Sequence, residues 1–223
     1  RLRMGEAYMD GTLTVEDGSI YDFLDLVGLN AGTGTAGRLD RWTTGARMLW
    51  RRFVQWNSPR EARRNVSHHY DLTGALYDLF LDNDRQYSCA YFVSGNDSLE
   101  VAQDNKKRHL AAKLLLEPGQ KVLDIGSGWG GLGLYLSRIA DVDVTGVTLS
   151  VEQQKVSEER ARQTGMGHRA RFHLRDYREV TGKFDRIVSV GMFEHVGITH
   201  YAEFFNKISD LLAENGVALV HFI

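Results

Sequence analysis

VLDIGSGWGG, residues 122–131, reads as the end of a buried strand, a glycine turn and the opening of a helix. Gly126, Gly128 and Gly130 let the backbone turn tightly and approach a ligand with no Cβ in the way. The N–H groups of the next helix's first turn then face whatever sits above the strand. Working outward, HLAAKLLLEPG (109–119) is expected to be a helix stopped by Pro118 and Gly119, and KVLDIG (121–126) a strand. GGLGLYLSRIA is a helix, VDVTGVTL a strand, SVEQQKVSEERARQTG a helix and ARFHLRD a strand. KFDRIVSVG, HYAEFFNKISDLLAENG and VALVHFI continue as strand, helix and strand. Strands alternating with helices of about a dozen residues predict an α/β fold with a doubly wound, mainly parallel sheet. Right-handed crossovers then put ligands at the carboxyl ends of the strands. Further edge strands are expected beyond Ile223, where a strand pattern stops abruptly.

The glycine run by itself is ambiguous. Gly126, Gly128 and Gly131 also satisfy the GxGxxG pattern of dinucleotide sites. Two features favour S-adenosylmethionine. Asp124 opens the run D-x-G-x-G-x-G, with an acid near the ligand's amino group, and the second strand ends GVTLS with no acid for a nucleotide ribose. Ser150 and Gln153 form a Ser-x-x-Gln capping box, a sufficient structural reason for both; a ribose contact for Thr148 or Gln153 is an additional claim. Asp176 stands where a carboxylate could accept an adenine amino group, or could simply form a turn.

The chain has 223 residues and a net charge of -2, which argues against a protein built around nucleic acid. Its one cysteine excludes an intrachain disulfide, in keeping with a reducing compartment. No apolar run approaches the length of a bilayer span. The eight histidines show no metal-binding spacing, so no metal is expected. Opening on Arg1 rather than Met, the chain reads as a piece of something longer. Residues 1–30 read as part of a small N-terminal domain, 31–64 as a linker followed by a basic aromatic helical segment, and 65–223 as the main domain. In 38–64, Arg51 and Arg52 sit among Trp42, Trp50, Phe53 and Trp56. This suits a helix resting on anionic lipid headgroups, or equally one whose tryptophans pack on a neighbouring domain.

Several separated motifs then agree. HYDLTGALYDLFLD, YSCAYF, VLDIGSGWGG, GVTLSVEQ, FDRIVSVGMFEHVG and VHFI together resemble the cyclopropane-fatty-acyl-phospholipid synthases, a family that includes the mycolic acid cyclopropane synthases. The similarity runs from about Asn65 to Ile223, and GEAYMDG near the start looks like the N-terminal domain of the phospholipid-acting members. The resemblance implies a Rossmann-like class I methyltransferase fold. It implies methyl transfer from S-adenosylmethionine to a cis double bond, followed by ring closure as a bound bicarbonate takes a proton. The ion's holders correspond to Cys89, Glu194, His221 and the backbone of Ile223, with Tyr87 shielding the cation; a further tyrosine of the family's site would lie beyond Ile223. The cofactor positions correspond to Tyr70, Tyr87, Asp124, Gly126, Gly128, Trp129, Gly130, Thr148, Leu149, Gln153, Asp176 and Tyr177.

Taken singly, these residues have plainer readings. Cys89 would be core packing, Glu194 an ordinary loop carboxylate and His221 a satisfied core histidine. Only the joint pattern reverses them. The implied partners are unsaturated phospholipid acyl chains at the inner face of the membrane, with a cytoplasmic, peripherally associated homodimer as the expected state. The rivals are a fatty-acyl methyltransferase that branches the chain without closing a ring, a lipid-surface module without catalysis, and, weakest, a dehydrogenase.

Overall fold

The computed structural model describes residues 2–32 and 74–223. The chain divides into two compact units, Arg1–Val54 and Gln55–Ile223. The described part of the first is two helices, α1 (Leu2–Met9) and α2 (Ile20–Gly32). Ser19 and Asp22 exchange hydrogen bonds at the start of α2, satisfying donors that a helix leaves open at its N-terminus. The basic aromatic segment 38–64 lies outside the described residues.

The second unit carries a five-stranded, wholly parallel sheet in the order β3-β2-β1-β4-β5. Its elements after a single helical turn at Gly74–Tyr77 are α3 (Leu99–Leu114), β1 (Lys121–Ile125), α4 (Gly131–Ala140), β2 (Asp143–Thr148), α5 (Val151–Gln163), β3 (Ala170–Leu174), β4 (Phe184–Val190), α6 (Tyr201–Leu211) and β5 (Leu212–His221). The doubly wound α/β expectation holds. Alternation along the strands sorts the core onto two faces. Val122, Val144, Phe172 and Val188 meet Leu110, Leu114, Leu132, Leu136 and Ala161 of α3, α4 and α5 on one face. Leu123, Ile125, Val147 and Ile187 meet Phe204, Ile208 and Leu211 of α6 on the other.

Two element boundaries differ from the sequence reading. The helix expected from His109 begins at Leu99, capped by the Ser98 hydroxyl accepting from the Val101 N–H. Its first half is polar, DNKKR, so the apolar signal that marks a helix is confined to the second half. The helix expected to run to Gly216 ends at Leu211. Leu212 is already extended and pairs with Phe184, and an irregularity in the β4–β5 register follows. Asn215 there takes φ 61°, a left-handed conformation that asparagine tolerates.

At the foot of α3, the buried Arg186 of β4 gives Nε to the Leu114 carbonyl at 2.6 Å and Nη2 to the Leu115 carbonyl at 2.8 Å. A cation at a helix C-terminus meets both the open carbonyls and the negative end of the dipole. This contact fixes α3 against the sheet, and α3 carries one wall of the site.

Candidate active site

The loop after β1 is pinned before it turns. The N–H groups of Gly126 and Ser127 both donate to the Val147 carbonyl of β2, at 2.9 and 3.0 Å, and Gly130 N–H donates to Ser127. Gly126, Gly128 and Gly130 all take positive φ, 81°, 53° and 81°. Their reasons for being glycine differ. A Cβ on Gly130 would lie 2.7 Å from the Ser157 Cβ and 2.9 Å from the Phe172 ring, so that glycine serves the packing of α5 and β3. A Cβ on Gly128 would meet nothing within 4 Å, so this turn of the loop faces open space.

That space is a pocket at the carboxyl ends of β1 and β4, the position where open α/β sheets take ligands. Asp124, Gly126 and Gly128 form its floor, Trp129 and Gln153 flank it, and Tyr87 and Ser88 cover it from the segment before α3. Asp124 is 2% exposed, and its Oδ2 has no hydrogen-bond partner among the described residues. Burial in apolar surroundings disfavours its charged form and pushes its carboxyl up to about 7.

The capping box is only half formed. Gln153 N–H donates to the Ser150 hydroxyl at 3.2 Å, as expected. The Gln153 side chain does not return to Ser150; its Oε1 accepts from the Thr148 hydroxyl at 2.7 Å, and Ser150 N–H goes to Thr148 Oγ1 at 3.2 Å. Thr148 has taken the role expected of Gln153, because its hydroxyl reaches both partners from the end of β2. Gln153 is thereby held rigidly along the pocket wall.

Asp176 and Tyr177 lie away from this lining. Asp176, 1% exposed, accepts from the Arg178 N–H and Nε at 2.9 Å each and from Nη2 at 2.7 Å. Tyr177 packs edge-on to Phe204 at 5.4 Å, and burial pushes its hydroxyl up to about 12. Leu149 is half-buried beside Thr148. Tyr70 lies outside the described residues.

A second group gathers at the ends of β4 and β5. Phe193 is buried and stacks on Tyr201 at 4.4 Å, with Phe222 at 5.1 Å, which anchors the turn carrying Glu194. Glu194 Oε1 then accepts from the Ile223 N–H at 2.9 Å, so the structure brings together two residues 29 apart that the sequence paired only through resemblance. His221, the last residue of β5, accepts at its carbonyl from the Gly191 N–H at 3.0 Å, and its Nδ1 is buried with no partner among the described residues. Cys89 is exposed, so it is not the core residue that a lone cysteine suggests. Tyr87 makes edge contacts with Tyr77 at 5.6 Å and Trp129 at 6.5 Å, joining the covering segment to the glycine loop.

What sequence reasoning missed is how that segment is held. Gln103 Nε2 donates to the carbonyls of Gln86 and Ser88 at 3.2 and 3.0 Å, Lys106 Nζ to Ser88 Oγ at 2.6 Å and Lys107 Nζ to Asp84 at 2.8 Å. Arg160 of α5 also grips Asp84 and donates to the Trp129 carbonyl at 2.8 Å. The only local signal was spacing: Ala102, Gln103, Lys106, Lys107, Leu110 and Leu114 recur on one helical face. Among the described residues no cluster of His, Cys, Asp and Glu could hold a metal, and no helix is long and apolar enough to cross a membrane.

Comparison with known proteins gives this geometry relatives. The family model for mycolic acid cyclopropane synthetase matches residues 57–223. The cyclopropane-fatty-acyl-phospholipid synthase of Escherichia coli is 40% identical over 224 residues, covering 100% of this chain and 56% of its own length. A probable fatty acid methyltransferase of Pseudomonas putida is 42% identical over 160 residues, covering 71% of this chain and 41% of its own. The chain thus spans about half the length of these relatives. Among solved structures, a mycolic acid cyclopropane synthase complexed with S-adenosylhomocysteine and CTAB superposes with a TM-score of 0.69 at 37% identity. That match covers 71% of this chain and 55% of the other.

Proposed function

The chain belongs to the mycolic acid cyclopropane synthetase family, and from that premise we propose an S-adenosylmethionine-dependent enzyme acting on unsaturated lipid. Its reaction is the addition of a one-carbon bridge across the cis double bond of a phospholipid acyl chain, giving a cyclopropane ring. One observation carries this reading: a pocket at the strand ends whose floor combines a buried carboxylate, one oxygen of which has no partner among the described residues, with an open glycine turn. The choice of phospholipid is supported by the E. coli synthase, whose match alone among the relatives compared above extends through the N-terminal unit.

The residues suit the cofactor's parts. Asp124 offers a carboxylate to its amino group, Gly126 and Gly128 let the backbone come close, and Thr148 and Gln153 present polar atoms for the ribose. Trp129 and Leu149 are assigned to the walls and Gly130 to the shape of the loop, with Tyr87 at the reacting end. Asp176 and Tyr177 are assigned to the adenine end, where Asp176 would need a lone pair beyond those taken by Arg178. When bound, the cofactor supplies a methyl group made electrophilic by its sulfonium.

An alkene has no acidic proton, so no base is required before attack. The positive charge then carried by the acyl chain must be kept from water and faced by π density, which Tyr87 and its ring neighbours can offer. Loss of a proton from the new methyl group closes the ring. A bicarbonate ion would supply the base, held by Glu194, His221, Cys89 and the Ile223 backbone. The unpartnered Nδ1 of His221 suits an anion's oxygen, and the Ile223 N–H, now given to Glu194, is a donor the ion would share. Cys89 forms one wall rather than acting as a nucleophile. On this reading the enzyme meets its lipid as a peripheral protein at the inner membrane face.

The test is product mass after incubation with S-adenosylmethionine, bicarbonate and vesicles of cis-unsaturated phospholipid. Released fatty acids that gain one methylene, lose the double bond and resist hydrogenation are the expected result. A branched saturated chain, heavier by two hydrogens, would assign the protein to the fatty acid methyltransferases, the name carried by its P. putida relative. No product despite cofactor binding would exclude phospholipid acyl chains as the acceptor.

A further inference from the structure

Lys106 is 3% exposed, an unusual place for an ammonium group. Its stem runs along the buried face of α3, and the residue lines the same pocket as Asp124. Its one hydrogen bond among the described residues is to a neutral group, the Ser88 hydroxyl at 2.6 Å. It forms no ion pair with any of them.

The nearby acids are committed elsewhere. Asp82 accepts from the N–H groups of Gln86 at 2.7 Å and Asp84 at 3.3 Å. Asp84 is shared between Lys107 and Arg160. Cys89 and Lys107 are the other ionisable groups acting on Lys106. The balance of these surroundings lowers its ammonium to about 8, burial being the largest cause.

The pocket therefore holds one buried group of each sign, and among the described residues neither makes an ion pair: Asp82 and Asp84 favour the Lys106 ammonium only from beyond contact distance, and burial outweighs them. Buried charges in folded proteins are normally paired or neutralised, so two unpaired ones facing a single cavity describe the ligand that completes them. That ligand carries an ammonium for Asp124 and a carboxylate for Lys106: the zwitterionic end of an α-amino acid. We infer that Lys106, held by Ser88, is the residue that binds the carboxylate of the cofactor's amino-acid end. This rests on the S-adenosylmethionine reading above and names the charged partner that reading lacked. The sequence hid it, because a Lys-Lys pair in a polar half-helix looks like a solvated face.

The experiment uses calorimetric titration with S-adenosylhomocysteine and with 5′-methylthioadenosine, which has the same nucleoside and sulfur but no amino-acid end. Lys106→Met preserves the buried stem and removes the charge. Its affinity for S-adenosylhomocysteine should fall by about 10- to 100-fold, the worth of a charged hydrogen bond, while methylthioadenosine binds as to the unaltered protein. Because a buried charge is being removed, the variant should melt no lower than its parent at pH 7. Unchanged affinity for S-adenosylhomocysteine would overturn the inference, as would equal weakening of both ligands. If the variant does not fold, the unaltered protein still decides: decarboxylated S-adenosylhomocysteine should bind about 10-fold or more weaker than the parent ligand, and equal affinity overturns the inference. Failure of the unaltered protein to bind either adenosine ligand would instead overturn the cofactor reading itself.

Discussion

Asp124 and Asp176 make an instructive pair. Both sit at the carboxyl edge of the sheet, one inside β1 and one just past β3, and both are almost fully buried, at 2% and 1% exposure. Both look like cofactor ligands in the sequence. Asp176 is paired three times over by Arg178, whereas Asp124 keeps an oxygen with no partner among the described residues. A buried carboxylate that is satisfied within its own turn has a role in the fold whatever else it binds. One that is left unsatisfied above an open glycine loop is poised for something the chain does not itself contain.

Substitution should separate the two sharply. Asp124→Asn is expected to weaken S-adenosylhomocysteine by about 100-fold or more, because it removes one partner of a buried charge pair. The same change should leave the ligand-free protein at least as stable above pH 7. The Asp124 carboxyl is raised from 3.8 to about 7, so its burial becomes increasingly unfavourable as pH rises between those values and is fully unfavourable above them. Titration with ligand and melting at pH 8 check both halves, and undiminished binding would break the contrast outright.

Glu194→Gln tests the second group of residues in the same spirit. Product formation should drop by about 100-fold, the scale of a lost proton-transfer arrangement, while S-adenosylhomocysteine affinity stays within about twofold. A matching loss of affinity would merge the two regions into one. Asp176→Asn should do the reverse of Asp124→Asn. It leaves the Arg178 guanidinium poorly paired, so chemical denaturation should show a loss of about 3 kcal/mol, with ligand affinity changed less than about 10-fold. Lost affinity without lost stability would make the adenine contact, and not the Arg178 pair, the main role of Asp176. The smallest effect is expected at Cys89→Ser, a fall in turnover of about 10-fold or less with activity retained. Complete loss with a trapped acyl-cysteine adduct would make Cys89 a nucleophile.

Local pattern carried the sheet well, because most of its strands contain a short apolar run and three of its four crossovers are helices. VLDIGSGWGG was readable for the same reason: a strand end, a glycine turn and a helix start are consecutive in the chain. Glu194, His221 and Ile223 became legible only as a joint motif, since the bond from the Ile223 N–H to Glu194 spans 29 residues and leaves no local trace. Least legible was the polar half of α3. Gln103, Lys106 and Lys107 are buried by hydrogen bonds to a segment 15 to 23 residues upstream, a pairing that no hydrophobic period announces. The capping box misled for a related reason, because Thr148 lay outside the four-residue motif yet competed for its groups.

The most direct measurement is titration of S-adenosylhomocysteine at pH 6 in two buffers of different ionisation heat. The ligand-free Asp124, with its carboxyl at about 7, is mostly protonated there and must ionise to receive an ammonium group. Binding with release of about one proton, abolished in Asp124→Asn, is the expected result. Binding with no proton release would contradict an unpaired carboxylate as the cofactor's receptor, and no binding at all would contradict the cofactor site.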